Sequence, residues 1–420
     1  MKAKFRLILS LVLAMVIFAS CTKDANNGKK TDDNTNGKTE TSTSDNTGTG
    51  EVTLKVLVPG FDEGYLKDQL SSAIEKYESE NKNVKIEVVS AGWEELNSKV
   101  VQLYQAKQSP DIMLLGSRSL KQFKELGILE NLDSYITDEI QKERVSNVMD
   151  TGKIDGGQYG IPMAFSSRAL FYRKDLIQAP PTTWDELLEI SEKVAKENNM
   201  KGFAFPTDIQ SGTDELLNFF YQGGGRIVDE NGNFVIDSPE NIETLTFLSK
   251  FKDIIPDPVS TKRDEQSKMF INGDLAMFVS GAWEIPNLDE ANAEYGIAKL
   301  PKGKQESVTL VTDSYVMSSI SEHKDEAFKF IEFMINPEIQ KTVTDAYNWF
   351  PVTKAEESRD RYKEENMKPF MEIIPNGIPE PHVPNWDEFN KSFTIAVQKG
   401  LTGQASPEEA LKTCQEEVNK

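Results

Sequence analysis

Residues 51 to about 130 alternate short apolar strands with amphipathic helices, and this order leaves few folds open to the chain. Three segments predict strands, at 52–58, 84–88 and 112–115. Helical spacing of Leu66, Leu70, Ile74 and Tyr77, and a second stretch at 93–106, place a helix in each gap. A β-α-β-α-β order requires right-handed crossovers, so this part of the chain predicts an α/β fold with a parallel sheet.

The N-terminus does not resemble part of that fold. It begins with three basic residues, Lys2, Lys4 and Arg6. The apolar run at 7–18 is shorter than the roughly 20 residues of a spanning helix, so it predicts an export signal over 1–20. Phe18-Ala19-Ser20-Cys21 resembles the bacterial lipobox, which predicts lipidation of Cys21, although the family favours Leu where Phe18 stands. The alternative is an ordinary signal peptide followed by an incidental cysteine.

Residues 22–50 are polar and rich in Thr, Asn, Asp, Gly, Lys and Ser, so they predict a disordered tether that, with Cys21, spans 21–50. The remaining cysteine, Cys414, then has no disulfide partner. The net charge of −21 opposes binding to nucleic acid or to an anionic membrane surface. About 370 residues follow the tether, which is enough for two domains.

Catalytic and metal-binding patterns are sparse. The two histidines, His323 and His382, are not accompanied by a nucleophile motif, and no Cys/His cluster suggests zinc. Residues 229–233 hold calcium-like oxygen donors, but Asn231-Gly232 between apolar segments favours a hairpin turn. We therefore expect no cofactor and no metal. A glycoside hydrolase remains a rival, because it needs only two carboxylates.

Several blocks resemble family 1 of the bacterial extracellular solute-binding proteins, the group that includes maltose-binding protein, and they occur in the family's order from 51 to 420. The family's blocks correspond to 109–112, 123–132, 157–162, 170–175, 181–188, 270–283, 295–301 and 327–340. The most diagnostic block is 270–283, Phe-Ile-Asn-Gly-Asp-Leu-Ala-Met through Gly-Ala-Trp. One departure lies at Thr312-Asp313-Ser314, where the family usually carries a glycine pair. There the Asp313 side chain contacts ligand directly, or the local backbone differs.

The resemblance implies two α/β lobes with the ligand held between them. The expected N-terminal lobe comprises 51–162 and 300–345, and the expected C-terminal lobe comprises 163–299 and 346–420. The implied function is capture of a carbohydrate, expected to be an oligosaccharide, by hinge closure and its delivery to the membrane subunits of an ABC importer. The protein is then a non-enzymatic monomer, lipid-anchored on the extracytoplasmic face of the cell membrane.

Sugar recognition requires an aromatic face and a rim of charged or amide groups. Trp283 is the first stacking candidate, because it lies in the Gly-x-Trp block. Arg118 follows the 112–115 strand, where open α/β sheets place ligand-binding residues. The full set of candidates is Trp93, Arg118, Ser166, Arg168, Asp208, Trp283, Asp313, Trp349 and Trp386. For each tryptophan, a place in the hydrophobic core is the alternative, and a non-sugar ligand such as a polyamine or peptide stays open for the same fold.

Overall fold

A computed structural model describes residues 50–64, 66–93 and 95–420. The predicted signal peptide, the lipidated Cys21 and nearly all of the predicted tether lie outside the described residues. Within the described ranges, no helix combines the length and apolarity that crossing a bilayer requires.

The described residues form eleven strands. These are β1 Val52–Pro59, β2 Val84–Ala91, β3 Ile112–Gly116, β4 Lys153–Ile154, β5 Gly157–Gln158, β6 Ile161–Ser166, β7 Ala169–Arg173, β8 Met277–Ser280, β9 Tyr295–Ala298, β10 Val308–Met317 and β11 Gly377–Pro379.

Sixteen α-helices accompany the strands in the same part of the chain. These are α1 Lys67–Glu80, α2 Leu96–Gln105, α3 Leu120–Glu125, α4 Asp138–Glu143, α5 Ser146–Met149, α6 Trp184–Asn198, α7 Gly212–Gln222, α8 Pro239–Leu248, α9 Arg263–Asn272, α10 Ile285–Glu290, α11 Lys324–Met334, α12 Pro337–Tyr347, α13 Lys354–Glu357, α14 Lys368–Ile373, α15 Trp386–Thr402 and α16 Pro407–Val418.

The larger sheet has six strands in the order β11-β10-β3-β1-β2, with β6 paired to β10 as well. As predicted, β1 runs parallel to both β2 and β3. All five residues of β3 are buried, because the strand is covered on both faces. Alternation sends Ile112 and Leu114 into one hydrophobic core and Met113 and Leu115 into another.

The smaller sheet holds β8, β7 and β9, with β7 antiparallel to both neighbours. It belongs to a separate hydrophobic core, in which Phe171 of β7 stacks on Phe278 of β8 with ring centroids 5.1 Å apart. A capping box starts α6, with Thr183 and Glu186 bonding reciprocally. Trp184 stacks on Phe247 at 4.7 Å against this core, as a core residue would.

Strands β6 and β10 both pass from one core to the other. In β10, Val308 and Leu310 belong to the core of the smaller sheet, whereas Tyr315 and Met317 belong to a core of the larger sheet. The pairing of β10 with β6 shifts register between Asp313 and Ser314, so an irregularity lies midway along the crossing strand. The residues that replace the family's glycine pair therefore stand at the boundary between the two cores.

Candidate functional site

Three paired strands meet at Asp313. Asp313 of β10 pairs with Gly116, the last residue of β3, and with Ala164 of β6. The chain then turns beyond β3 through the short 3-10 helix Ser117–Ser119, which carries Arg118. This position, beyond the carboxyl end of a parallel strand, is the one at which open α/β sheets hold ligand-binding residues.

Arg118 binds a buried carboxyl group. Its Nη1 lies 3.3 Å from Oε1 of Glu380, whose side chain is only 2% exposed. The guanidinium carbon lies 5.5 Å from the ring centroid of Trp386, at the start of α15. Arg118 is thereby held between a carboxyl group and an aromatic face, and the nearby carboxyl groups raise its pKa further above the ordinary value.

Glu380 and Asp214 form a carboxyl pair. Burial raises the pKa of Glu380 well above its usual value, and hydrogen bonding to Asp214 acts in the same direction. Burial also raises the pKa of Asp214, but Arg118, Arg168 and Arg263 outweigh it and leave that pKa lowered. We assign the shared proton to Glu380, which donates to the Asp214 carboxylate, because two adjacent buried carboxylates cannot both ionise cheaply.

Asp313 adds a third carboxyl group. Burial raises its pKa to about 6, with Arg118 opposing the rise and Asp214 adding to it. Within the described part of the chain, no side-chain or backbone donor forms a hydrogen bond to the Asp313 carboxylate, although neighbouring residues of β10 are bonded: Thr312 Oγ1 lies 2.9 Å from Thr151 Oγ1. Asp313 therefore carries acceptor capacity that the fold leaves unused.

Two further arginines share one carboxylate. The side chain of Glu215 is fully buried in α7, and its Oε1 accepts from Arg168 Nε at 2.7 Å. Arg263 donates Nε to Oε1 at 3.1 Å and Nη2 to Oε2 at 2.9 Å, a forked arrangement. Arg168 Nη1 also lies 3.3 Å from Ser166 Oγ. Glu215 thus fixes the orientation of both guanidinium groups.

Those guanidinium groups frame Trp283. Their carbons lie 4.7 Å from its ring centroid for Arg168 and 5.7 Å for Arg263. A Cβ atom at Gly281 would lie 1.9 Å from Cζ3 of the ring, so the indole position requires glycine there. The close approach explains physically why Gly-x-Trp occurs as a unit.

Trp283 opens onto a pocket of about 530 Å³. Most of the residues that line it have polar or charged side chains: Asp208, Gln210, Ser211, Lys262, Arg263, Asp264, Ser267, Lys268, Ile271, Trp283, Glu284 and Asn287. Asp208 accepts from the backbone N–H of Gln210 at 3.1 Å and from Ser211 Oγ. A half-buried indole beside hydroxyl, amide and charged groups suits a ligand with one apolar face and a polar rim.

The structure brings several sequence-predicted residues together: Arg118, Ser166, Arg168, Trp283 and Asp313 connect through the carboxyl groups described above, and Asp208 lines the pocket beside Trp283. Trp386 is 5% exposed and packs in the core, with Arg118 over its face. Trp349 is 8% exposed, packs in the core of the larger sheet and stacks on Tyr347 at 4.8 Å. Trp93 is 39% exposed in the turn after β2, on the same sheet edge as Arg118.

Four residues of the cluster are absent from the sequence prediction: Asp214, Glu215, Arg263 and Glu380. Asp214 and Glu215 occupy the first turn of α7, where acidic residues are common for helix-dipole reasons alone. Glu380 lies among prolines just beyond β11. Only their long-range pairing marks them as members of a site.

Among the described residues, no group of three or more His, Cys, Asp and Glu side chains is arranged to hold a metal ion. In the calcium-like loop, the Asp229 carboxylate accepts the backbone N–H groups of Asn231 at 2.9 Å and Asn233 at 2.8 Å. The predicted hairpin turn is present and is closed by a single antiparallel β-bridge between Val228 and Phe234. The oxygens that a calcium ion would need serve the turn itself.

The fold and its relatives identify the class of protein. The architecture is that of two-domain α/β periplasmic binding proteins. A solved structure of Thermotoga maritima MalE3 with maltose bound matches with a TM-score of 0.76 at 24% identity, covering 88% of this chain and 99% of that one. Residues 72–369 match the bacterial extracellular solute-binding protein family, and the chain belongs to that family.

The names of the curated relatives refer to different sugars. A maltotriose-binding protein of Pyrococcus abyssi is 28% identical over 276 residues, which are 64% of this chain and 60% of that protein. A galactooligosaccharide-binding protein of Bacillus subtilis is 24% identical over 355 residues, 81% of this chain and 84% of that protein.

Proposed function

We propose that this protein captures a carbohydrate between its two lobes and delivers it to an ABC importer. The observation that carries the proposal is the Trp283 indole, which lies between Arg168 and Arg263 and faces a pocket lined by polar and charged residues. Aromatic stacking on a sugar face with hydrogen bonds to its hydroxyl rim is the expected mode of recognition. Relatives named for maltotriose and galactooligosaccharides support the assignment to carbohydrate.

Capture by hinge closure agrees with the way the chain crosses between cores. We propose lobes with bounds close to 51–162 with 300–345 and 163–299 with 346–420, and the Asp313 irregularity lies where β10 passes between their cores. In this structure the lobes meet at Asn97, whose Nδ2 donates to Asp387 Oδ1 at 2.8 Å. Ligand that contacts both lobes would favour the closed arrangement by its differential affinity for it.

We further propose export and lipid anchoring through Cys21, with the protein acting as a monomer on the extracytoplasmic face of the cell membrane. The basic start, the short apolar run and the small residues before Cys21 support this part of the proposal. A Cys21→Ser variant should be released from the membrane fraction into the medium or periplasm. Retention of that variant in the membrane fraction would refute anchoring through Cys21.

An extracellular glycan hydrolase is the competing function, and the Asp214–Glu380 pair argues against it. Glycosidases hold their two carboxyl groups roughly 5 Å or more apart, so that a sugar or a water fits between them. Here Glu380 hydrogen-bonds to Asp214 and accepts from Arg118, whereas Asp214 forms ion pairs with Arg168 at 3.7 Å and Arg263 at 3.8 Å. Incubation with oligosaccharides followed by chromatography should show no product. Release of shorter sugars would instead support the hydrolase function.

The central test is a carbohydrate panel measured by calorimetry and thermal shift. Binding of a sugar with micromolar or tighter affinity, without turnover and with compaction in small-angle scattering, is the expected result. A null response across the panel would overturn the carbohydrate assignment and direct attention to polyamines or peptides.

A further inference from the structure

We infer that Glu284 is a specificity-determining residue of the Trp283 pocket, where its carboxylate accepts a hydrogen bond from one hydroxyl group of the bound sugar. This inference rests on the proposed carbohydrate function of the same site. It goes further by naming the side chain that distinguishes one hydroxyl pattern from another. Glu284 is separate from the carboxyl groups that bind the arginines of the site.

Glu284 lies in the wall of the pocket. It follows Trp283 directly in the short 3-10 helix Ala282–Glu284, and both residues line the pocket. Its Oε1 accepts from Ser267 Oγ of α9 and, at 3.4 Å, from Asn287 Nδ2 of α10. Ser267 and Asn287 line the same pocket. The carboxyl group is therefore held in place by two pocket-lining side chains from different helices.

One oxygen of this carboxyl group is left for a ligand. Glu284 is only 3% exposed, yet within the described residues its Oε2 accepts no hydrogen bond and no salt bridge reaches it. Oε2 is nevertheless not one of the fully enclosed, unpaired polar atoms of that part of the chain, so it remains accessible. A largely buried carboxylate is costly unless donors satisfy its oxygens. The pocket is the side from which a further donor can approach.

The charges around the pocket favour an uncharged donor. Its Arg263 pairs with Glu215, and its Lys268 pairs with Asp264, so neither cation neutralises Glu284. The acidic and basic residues of the lining are equal in number: Asp208, Asp264 and Glu284 against Lys262, Arg263 and Lys268. A balanced pocket gives no overall attraction for a charged ligand. A sugar hydroxyl suits it, because an O–H that donates to a carboxylate forms a charge-assisted hydrogen bond.

The indole and the carboxylate then have different roles. Trp283 contacts the apolar face that sugar rings have in common, so it contributes affinity without strong preference among hydroxyl patterns. Glu284 requires a donor at one position. A sugar without that hydroxyl would desolvate the carboxylate and leave it unpaired, and sites built to bond a hydroxyl reject such analogues strongly. Glu284 should therefore discriminate between sugars that Trp283 accepts alike.

The test measures the coupling between Glu284 and single hydroxyl groups of the ligand. Calorimetry near neutral pH first compares maltotriose, β-1,4-galactotriose and every other sugar of the carbohydrate panel that binds. It then compares the tightest binder with its monodeoxy derivatives. One derivative should bind the unaltered protein about tenfold or more weakly than its parent. Glu284→Gln should lose about tenfold in affinity for the parent and discriminate against that derivative by less than about threefold.

Glu290→Gln is the matched control. Glu290 is exposed at the end of α10 and does not line the pocket, so this variant should keep both the affinity and the discrimination of the wild type. In Glu284→Gln, glutamine retains an oxygen for Ser267 and Asn287, which preserves the pocket wall. Should that variant not fold, Ser267→Ala decides in its place. It removes the hydroxyl that holds the carboxylate, and affinity for the parent should fall about threefold or more.

Two results would overturn the role of Glu284 while leaving carbohydrate capture intact. One is full affinity of Glu284→Gln for the parent sugar, and the other is equal discrimination against every deoxy derivative by the variant and the wild type. Unchanged affinity and discrimination in Ser267→Ala would have the same meaning if only that variant folds. If no sugar of the panel binds the unaltered protein, the proposed function falls and this inference with it.

Discussion

The carboxyl groups of the partly exposed Asp214 and the buried Glu380 share one hydrogen bond, although the two residues lie far apart in sequence and on opposite sides of the β10 strand in chain order. Because Arg118, Arg168 and Arg263 stabilise the ionised form of Asp214, the proton of the pair resides on Glu380. The pair makes the stability of the protein depend on pH.

Glu380→Gln should reduce that dependence. The pKa of Glu380 is raised in the folded protein, so its neutral form adds stability below its unfolded value of about 4.5, and this contribution is lost as pH rises through the folded pKa. Glutamine keeps a donor for Asp214 but does not ionise. Urea unfolding at several pH values should show a smaller decline above pH 4.5 for the variant than for the wild type. An equal decline in the two proteins would mean that the shared proton does not reside on Glu380.

Asp313→Asn should raise stability at neutral pH. The folded pKa of about 6 exceeds the unfolded value of 3.8, so the ionised carboxylate weakens the fold increasingly between these two pH values and fully above them. Removing the charge should increase the free energy of unfolding at pH 7 by about 1–3 kcal/mol, with no gain below pH 3.8. Denaturant titrations at pH 3.5 and 7 measure the difference, and a loss at pH 7 would show that Arg118 needs this charge.

Glu215→Gln should destabilise the protein strongly. The substitution leaves the buried guanidinium of Arg168 and that of Arg263 without their common anion, and breaking a buried pair in this way costs about 3–5 kcal/mol. Chemical denaturation at pH 7 measures the loss. Glu189→Gln, at an exposed position of α6, is the control and should change stability by less than about 0.5 kcal/mol. A loss for Glu215→Gln as small as the control's would mean that water replaces the carboxylate.

Gly281→Ala should impair ligand binding more than folding. The added methyl group would lie 1.9 Å from the Trp283 ring, so the partly exposed indole must move while the buried strand β8 beside it stays in place. Sugar affinity should fall about tenfold or more, with a change in the tryptophan fluorescence. Trp283→Ala should give a similar loss of affinity, corresponding to about 1.5 kcal/mol or more.

Leu126→Ala provides the control for both variants, because Leu126 is a large apolar residue that is 51% exposed outside the pocket. It should bind sugar as the wild type does. If Gly281→Ala and Trp283→Ala both keep full affinity, the ligand does not stack on this indole.

The three strands and two helices predicted between residues 51 and 115 are present as β1, α1, β2, α2 and β3, because the patterns that set them are local. The α6 capping box and the left-handed Gly273 after α9 are set by neighbouring residues, and both occur where the sequence indicates a helix boundary. Helix α15 is harder to predict: Trp386, Phe389 and Phe393 recur at helical spacing, but the proline-rich segment that precedes them favours irregular structure.

The site was predictable only in part, for a different reason. Arg118 and Asp313 follow from their places at a strand end and at a departure from the family pattern. By contrast, Glu215 meets Arg168 across 47 positions and Arg263 across 48, and Glu380 meets Arg118 across 262. Local residue spacing does not indicate pairs this distant in sequence, so the carboxyl groups that orient the arginines become apparent only in the folded chain.

The central place of β10 also bears on how the chain is made. The larger sheet places β10 between β3 and β11, so β3 cannot acquire its second neighbour until residue 317 has left the ribosome. Pairings this distant in sequence are slow to form. The export proposed above requires a chain that can still be threaded through a secretion channel, so mutations that let the first three strands collapse early should reduce the secreted yield without altering the folded structure.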